Sequence, residues 1–214
     1  MGKILTTRFF EQPTLQVAEK LLGKYLVRGV APTRERSGSR LIAGMITEVE
    51  AYDGPHDRAS HASRGQTKRN EPMFGPAGHW YVYFTYGMHW MLNIITREEG
   101  YPAAVLIRGV KLEKKDTMTR HSAERTGDEF YLDGPARITK FFKIDKRFNN
   151  KKAVLKNGLW IEDRPARNAS RSEAGGGVRI PRSHIKRAAR IGVPYAGPVW
   201  TKKRFRFYIE EKKR

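Results

Sequence analysis

Apolar and polar residues alternate over several short stretches of this chain, a pattern typical of strands with one buried face. The first long stretch, residues 41–49, brings the carboxylates Glu48 and Glu50 to the end of the strand on one face, and the Gly54-Pro55 turn stops it. Residues 24–30 predict a preceding strand, and the polar segment 31–40 between the two predicts a hairpin.

A second aromatic stretch over residues 80–86 predicts a strand that ends at Gly87. Its alternation places Tyr81 and Tyr83 on one face and Trp80 and Phe84 on the other, where we expect the hydrophobic core. Trp90 is expected in the core as well.

Two further strands are predicted over residues 89–96 and 103–112, joined by a turn around Glu99 and Gly100. Because antiparallel neighbours lie side by side, this hairpin is expected to bring Asn93 and Arg108 to the same region of one sheet.

The remaining patterns complete an α+β prediction. Helical spacing predicts a helix over residues 13–23 and a short one from Gly134 through Phe142, and residues 114–126 are charged and compatible with a helix. Strands are expected over residues 158–163 and in the basic, aromatic C-terminal segment, whereas 54–78 and 164–177 predict long loops. We expect one domain, residues 1–214, built on a curved, mostly antiparallel sheet with flanking helices.

The chain is strongly basic, with 42 Lys and Arg against 22 Asp and Glu and a formal net charge of +20. Such a charge favours a polyanionic partner, although a basic surface kept only for solubility is the alternative. No long apolar stripe accompanies the basic residues, so nucleic acid is favoured over a membrane surface. The absence of cysteine excludes thiolate chemistry, and with no export signal we expect a cytoplasmic protein.

Glu50 is the candidate catalytic carboxylate. Placed at a strand end with an arginine beside it, a carboxylate can orient a water and take its proton during attack on an electrophilic carbon. Arg108 is the candidate partner. An ordinary structural ion pair between Glu50 and Arg108 is the alternative, and the sequence leaves it open.

Aromatic and basic residues nearby suit a nucleic acid. Tyr52, His61 and Tyr83 offer faces for stacking on a base, and Tyr86, just before Gly87, is expected to protrude as a wedge between bases. The loop after His61 supplies candidate phosphate donors, which are Ser63, Arg64, Gln66, Lys68, Arg69 and Asn70.

Metal and Schiff-base chemistry find no support in the sequence. The histidines at 56, 61, 79 and 89 match none of the usual zinc spacings, and no lysine is marked by an apolar pocket signature. No cofactor is expected.

Several segments, in order along nearly the whole chain, resemble the alkyladenine (3-methyladenine) DNA glycosylase family. They read TEVEAYDGPHDRASH, RNEPMF, YVYFTYGMHWMLN, AAVLIRGV, DGPARITKFFKI, ARIGVPYAG and KRFRFY. The resemblance implies a monofunctional glycosylase that flips alkylated or deaminated purines out of duplex DNA and hydrolyses the N-glycosidic bond, as a monomer and without a cofactor or metal.

The same resemblance implies a role for each matching residue. Glu50 matches the general base, and Arg108 and the main chain of Ile191 match the groups that hold the attacking water. Pocket roles fall to Tyr52, His61, Tyr83 and Asn93, of which Asn93 matches the asparagine that disfavours guanine, and Tyr86 matches the intercalating tyrosine. Backbone contacts are expected from Arg64, Lys68, Arg69 and Asn70.

Two rival functions remain open at this point. One is a non-catalytic protein that binds DNA lesions, which would not need Glu50 as a carboxylate. The other is a purine-specific enzyme acting on RNA or free nucleosides.

Overall fold

The computed structural model describes residues 2–30, 40–112, 124–126, 129–165 and 180–210. Its strands form one curved sheet in which every described neighbouring pair is antiparallel. The strands are β1 Lys3–Ile4, β2 Tyr25–Val30, β3 Arg40–Asp53, β4 Trp80–Thr85, β5 His89–Ile95, β6 Ala103–Leu112, β7 Glu124–Thr126, β8 Glu129–Asp133, β9 Leu159–Asp163, β10 Ile185–Ala188 and β11 Arg206–Ile209. The helices are α1 Thr7–Phe10, α2 Thr14–Leu21, α3 Pro135–Phe141 and α4 Gly197–Lys202. This confirms the α+β class.

Strand β3 is the centre of the sheet. One edge pairs with β6 along most of its length, while the other edge pairs first with β2 and then, from Glu48 to Glu50, with β11. The main path of the sheet runs β1-β9-β2-β3-β6-β5-β4. The part of β3 that carries Glu50 is therefore held between β11 and β6.

One face of the sheet forms the main hydrophobic core. Val49, Ile107 and Trp80 point to this face, together with the buried side of α2. Helix α3 packs against β5 and β6, with Pro135 at its first turn, where a missing N–H costs nothing. Alternation along each strand then turns the neighbouring residues to the opposite face, which carries the candidate site.

Most of the local predictions are confirmed, including both hairpins, the helix found as α2 and the strands found as β4, β5, β6, β9 and β11. The helical interpretation of residues 114–126 is wrong at Glu124–Thr126, which pairs with β8 as a strand, because charged residues suit an edge strand as well as a helix. Residues 114–123, 31–39 and 166–177 lie outside the described part of the chain. Neither β8 nor α1 was predicted.

Phe84 corrects the expectation for the core. Its side chain is 43% exposed, and its ring lies 4.8 Å from that of Trp90 near the β4–β5 turn, whereas Trp80 is fully buried. The core ends before the strand does, so alternation alone misplaces Phe84.

No helix in the described part of the chain is long and apolar enough to cross a membrane.

Candidate functional site

The antiparallel register places the candidate residues side by side on one face of the sheet. Asn93 on β5 pairs with Tyr81 on one side and Leu106 on the other, and Leu106 pairs with Glu50. Paired residues of an antiparallel sheet point to the same face, and so do residues two positions apart along a strand. Tyr52, Tyr83 and Arg108 therefore join this face.

Glu50 is fully buried at the floor of a cleft of about 910 Å³. The hydroxyl of Tyr52 donates to its Oε2 at 2.9 Å, and the backbone N–H of Ile191 donates to its Oε1 at 2.7 Å. Arg108 Nε lies 3.4 Å from the same Oε1. Two hydrogen-bond donors and the Arg108 ion pair thus hold the carboxylate, which lines the cleft.

Burial raises the pKa of Glu50 above its ordinary value, although Arg108, the Ile191 N–H and the Tyr52 hydroxyl each lower it. Desolvation is the largest of these effects because it penalises the charged form. A carboxylate with a raised pKa is a stronger base once ionised, which suits proton abstraction from water.

A second carboxylate, Glu48, holds Arg108 in place. Glu48 Oε1 accepts from Arg108 Nε at 3.3 Å and from Arg206 Nη1 on β11 at 3.0 Å. The β3–β6 register shifts on either side of Glu48, and a Cβ on Gly109 would lie 2.8 Å from the Glu48 Cβ. This irregularity of the sheet depends on glycine at position 109.

Behind the cleft, a buried ion pair joins Arg190 to Asp57. Both side chains are fully buried, with Arg190 Nη2 donating to Asp57 Oδ1 at 2.8 Å and Nη1 bonding Oδ2 and the Ala51 carbonyl. Arg190 directly precedes Ile191, whose N–H reaches Glu50. The pair therefore fixes the segment that completes the donor set of Glu50.

Aromatic rings line the cleft above the carboxylate. The Arg190 guanidinium lies 4.8 Å from the Tyr52 ring centroid, so one wall is held by the buried ion pair. The ring of His61 lies edge-on to that of Tyr83, with centroids 4.6 Å apart, and its Nδ1 is 3.1 Å from the Tyr81 hydroxyl. Burial, and secondarily Arg69, lowers the pKa of His61, which favours a neutral imidazole.

Asn93 lines a small inner cavity of about 30 Å³ together with Tyr52, His61 and Tyr83. Its side chain is buried, and its Nδ2 donates to the Tyr81 carbonyl at 3.1 Å. This bond fixes the orientation of the amide. The structure thus brings Asn93 and the three aromatic candidates to one pocket.

Tyr86 protrudes from the turn between β4 and β5. Its side chain is 80% exposed, and both Tyr86 and Gly87 adopt positive φ, at 51° and 65°. The Met88 N–H donates to the Thr85 carbonyl at 3.1 Å, which closes a tight turn over residues 85–88 in which both central residues have positive φ. Tyr86 also borders the cleft.

The loop after His61 carries the four candidate contacts to the DNA backbone, and they differ in exposure. Arg64 and Arg69 are exposed and border the cleft, and Lys68 is exposed. Asn70 is 2% exposed, and its Nδ2 donates to the carbonyls of His61 and Gly65. It shapes the loop from inside and is not placed to contact a phosphate.

A group of three or more histidine, cysteine or acidic side chains able to hold a metal is absent from the residues that the structure describes.

The comparison with known protein families decides the relationship. A family described as methylpurine-DNA glycosylase (MPG) matches residues 8–213. The chain belongs to this family.

Individual relatives agree with the family match. A protein of Methanocella arvoryzae named as a candidate 3-methyladenine DNA glycosylase is 38% identical over 195 residues, 91% of this chain and 86% of the relative. Proteins of the same name from Chlorobaculum parvum and Ehrlichia chaffeensis are 39% and 43% identical, covering 89% and 74% of this chain and 82% and 76% of those relatives.

Three residues of this methylpurine-DNA glycosylase family member were missed by sequence reasoning. Asp57 and Arg190 form the buried pair, and Tyr195 borders both cavities while its hydroxyl donates to the Ala59 carbonyl at 3.0 Å. Asp57 and Arg190 are far apart in sequence, so no local spacing marks them as partners. Tyr195 lies in a Gly- and Pro-rich segment that carries only a general signal for a functional loop.

Proposed function

We propose that this protein is a monofunctional DNA glycosylase that removes alkylated or deaminated purines from duplex DNA in base excision repair. One observation carries the proposal. A fully buried carboxylate, Glu50, accepts two hydrogen bonds and pairs with Arg108 at the floor of an aromatic cleft, and an exposed tyrosine stands at the rim of that cleft.

Base extrusion is the first step of the proposed reaction. Tyr86 enters the duplex and fills the space that the flipped nucleotide leaves, while basic residues hold the phosphate backbone. Flipping costs a few kcal/mol, which is of the order that stacking of one aromatic ring and a few phosphate contacts can offset. Arg64, Lys68 and Arg69 are the proposed backbone contacts, and the net charge of +20 supports a DNA partner.

The flipped purine then enters the aromatic cleft. Tyr52, His61 and Tyr83 stack on it or donate hydrogen bonds, and the inner cavity beside Asn93 receives one edge of the base. A guanine would present its exocyclic amine there, where the fixed Asn93 amide disfavours it. The resemblance and the shared pocket support this assignment together.

Hydrolysis follows at the sugar carbon. Glu50 takes a proton from a water held by Arg108 and the Ile191 main chain, the water oxygen bonds to the anomeric carbon, and the C–N bond breaks. The bonding electron pair leaves with the base, which departs readily when it is cationic and requires a proton when it is neutral. Abasic DNA is the product, and no lysine takes part.

Base release from a lesion duplex tests this proposal. Duplex oligonucleotides bearing hypoxanthine or 3-methyladenine are incubated with excess protein, and the free base and strand scission are measured before and after alkali. The proposal predicts free base with scission only after alkali. Scission without alkali would indicate a lyase, and tight lesion binding without release would indicate the non-catalytic binding protein.

The proposed enzyme acts on DNA as a monomer in the cytoplasm. Affinity for duplex DNA is therefore expected to fall steeply with added salt, because phosphate contacts release counterions. An affinity that barely changes with salt would favour an enzyme acting on free nucleosides.

A further inference from the structure

An unusual cation lies on one aromatic wall of the cleft. The guanidinium carbon of Arg69 is 5.3 Å from the Tyr83 ring centroid, and Arg69 Nη2 donates to the Phe84 carbonyl at 3.0 Å. This hydrogen bond ties the guanidinium to β4 and therefore to the ring. Arg69, Tyr83 and His61 all line the same cleft.

Two other arginines of the site have carboxylate partners, whereas Arg69 has none among the residues described. Arg108 lies against Glu48 and Glu50, and Arg190 is paired with Asp57. Among the residues described, no carboxylate lies within ion-pair distance of Arg69. Arg58 and Arg64 add further positive charge to the cleft, and the carboxylate that lines it is Glu50.

Such a cation affects charged and neutral bases differently. A guanidinium at an aromatic ring already uses the electrostatic attraction of that ring for positive charge, and it repels a second cation placed nearby. A purine methylated at N7 carries a formal positive charge, whereas hypoxanthine is neutral. His61, whose environment favours the neutral ring, does not add to the repulsion.

We propose that Arg69 sets the substrate preference of this site, lowering the processing of cationic N-methylated purines relative to neutral purine lesions. The inference rests on the proposed glycosylase function and deepens it. Arg69 would thus act on specificity in addition to any contact with phosphate.

Single-turnover kcat/KM values test the proposal on two duplexes of identical sequence, one with N7-methylguanine and one with hypoxanthine. Wild type is compared with Arg69→Gln, Arg69→Lys and Arg64→Gln. Arg64 is the matched control because it is an exposed arginine of the same cleft for which the described structure shows no ring partner. Loss of a phosphate contact lowers kcat/KM for both duplexes by the same factor. It therefore cancels in the ratio of the two kcat/KM values.

Arg69→Gln is expected to raise the ratio of kcat/KM for N7-methylguanine to kcat/KM for hypoxanthine about tenfold. A factor of this size corresponds to the Coulomb repulsion between two unit charges roughly 7 Å apart in a site that water partly fills. Arg69→Lys keeps the charge and is expected to keep the wild-type ratio. Arg64→Gln removes a charge that is not held at the Tyr83 ring, and it is expected to change the ratio far less than Arg69→Gln. An unchanged ratio in Arg69→Gln, with both bases released by wild type, would overturn the inference and leave the glycosylase function standing. Failure of wild type to release either base would overturn both.

Discussion

The buried pair of Asp57 and Arg190 is expected to be a main determinant of stability at this site. In wild type, each carboxylate oxygen of Asp57 accepts one hydrogen bond from the Arg190 guanidinium and one from a backbone N–H. Asp57→Asn leaves the Arg190 charge buried and replaces one of these acceptor oxygens with an amide donor. Removing one partner of a buried ion pair costs about 3–5 kcal/mol because the other charge stays uncompensated. Since domains are stable by only about 5–15 kcal/mol, the variant should fold but with a large loss.

Urea unfolding followed by tryptophan fluorescence measures this loss at pH 7. Glu98→Gln is the matched control, because Glu98 pairs with Arg97 at the surface and its side chain is 61% exposed. Water screens that pair, so the free energy of unfolding should hardly change. The double variant Asp57→Asn with Arg190→Gln should be less destabilised than the sum of the single variants.

Asp57→Asn is also expected to lose activity. Arg190 precedes Ile191, whose N–H donates to Glu50, so a loosened Arg190 should slow base release at temperatures where the variant is folded. A free energy of unfolding within about 1 kcal/mol of wild type would refute the claim that this pair locks the segment.

Three further predictions concern the sheet and its carboxylate. Gly109→Ala should lower the free energy of unfolding by about 1–3 kcal/mol, because the new Cβ would lie 2.8 Å from the Glu48 Cβ. Gly29→Ala is the control and should be tolerated, because the atom nearest to its new Cβ lies 3.7 Å away. Equal urea midpoints for the two variants would contradict this prediction. Tyr52→Phe removes a hydrogen bond that lowers the pKa of Glu50, so the acid limb of base release from a cationic lesion should move to higher pH; an unmoved limb would contradict it. Burial raises the pKa of Glu50 above its ordinary value of 4.5. Between pH 4.5 and this raised pKa, the folded protein therefore holds a proton that the unfolded chain has lost. The free energy of unfolding falls as the pH rises through this range. Glu50→Gln lacks this loss, and its stability relative to wild type should increase from pH 4.5 to 7; a difference that shrinks with pH would oppose the assignment.

Local patterns predicted the residues that share a strand or a hairpin. Asn93 and Arg108 could be placed on one sheet because alternation and short turns determine which side chains lie side by side. The positive φ of Tyr86 agrees with its position before Gly87 in a tight turn. These inferences depend on neighbours in sequence, where the physical signal is strong.

Long-range pairing was not predictable in the same way. The insertion of β9 between β1 and β2, and of β11 beside Glu50, depends on contacts between residues far apart in the chain. Asn70 illustrates the same limit of sequence patterns. Its polar side chain suggested a phosphate contact, but the structure buries it under the loop. Phe84 shows that alternation identifies a face but does not show how far the core extends.

The measurement that tests the central claim most directly compares Glu50→Gln with Glu48→Gln in single-turnover base release from a hypoxanthine duplex. Both carboxylates lie on one face and contact Arg108, but Glu50 alone of the two lines the cleft. If Glu50 is the general base, Glu50→Gln should lose about a hundredfold or more in rate while still binding the lesion duplex, and Glu48→Gln should keep most of the rate. Equal losses in both variants, or full release by Glu50→Gln, would contradict the assignment.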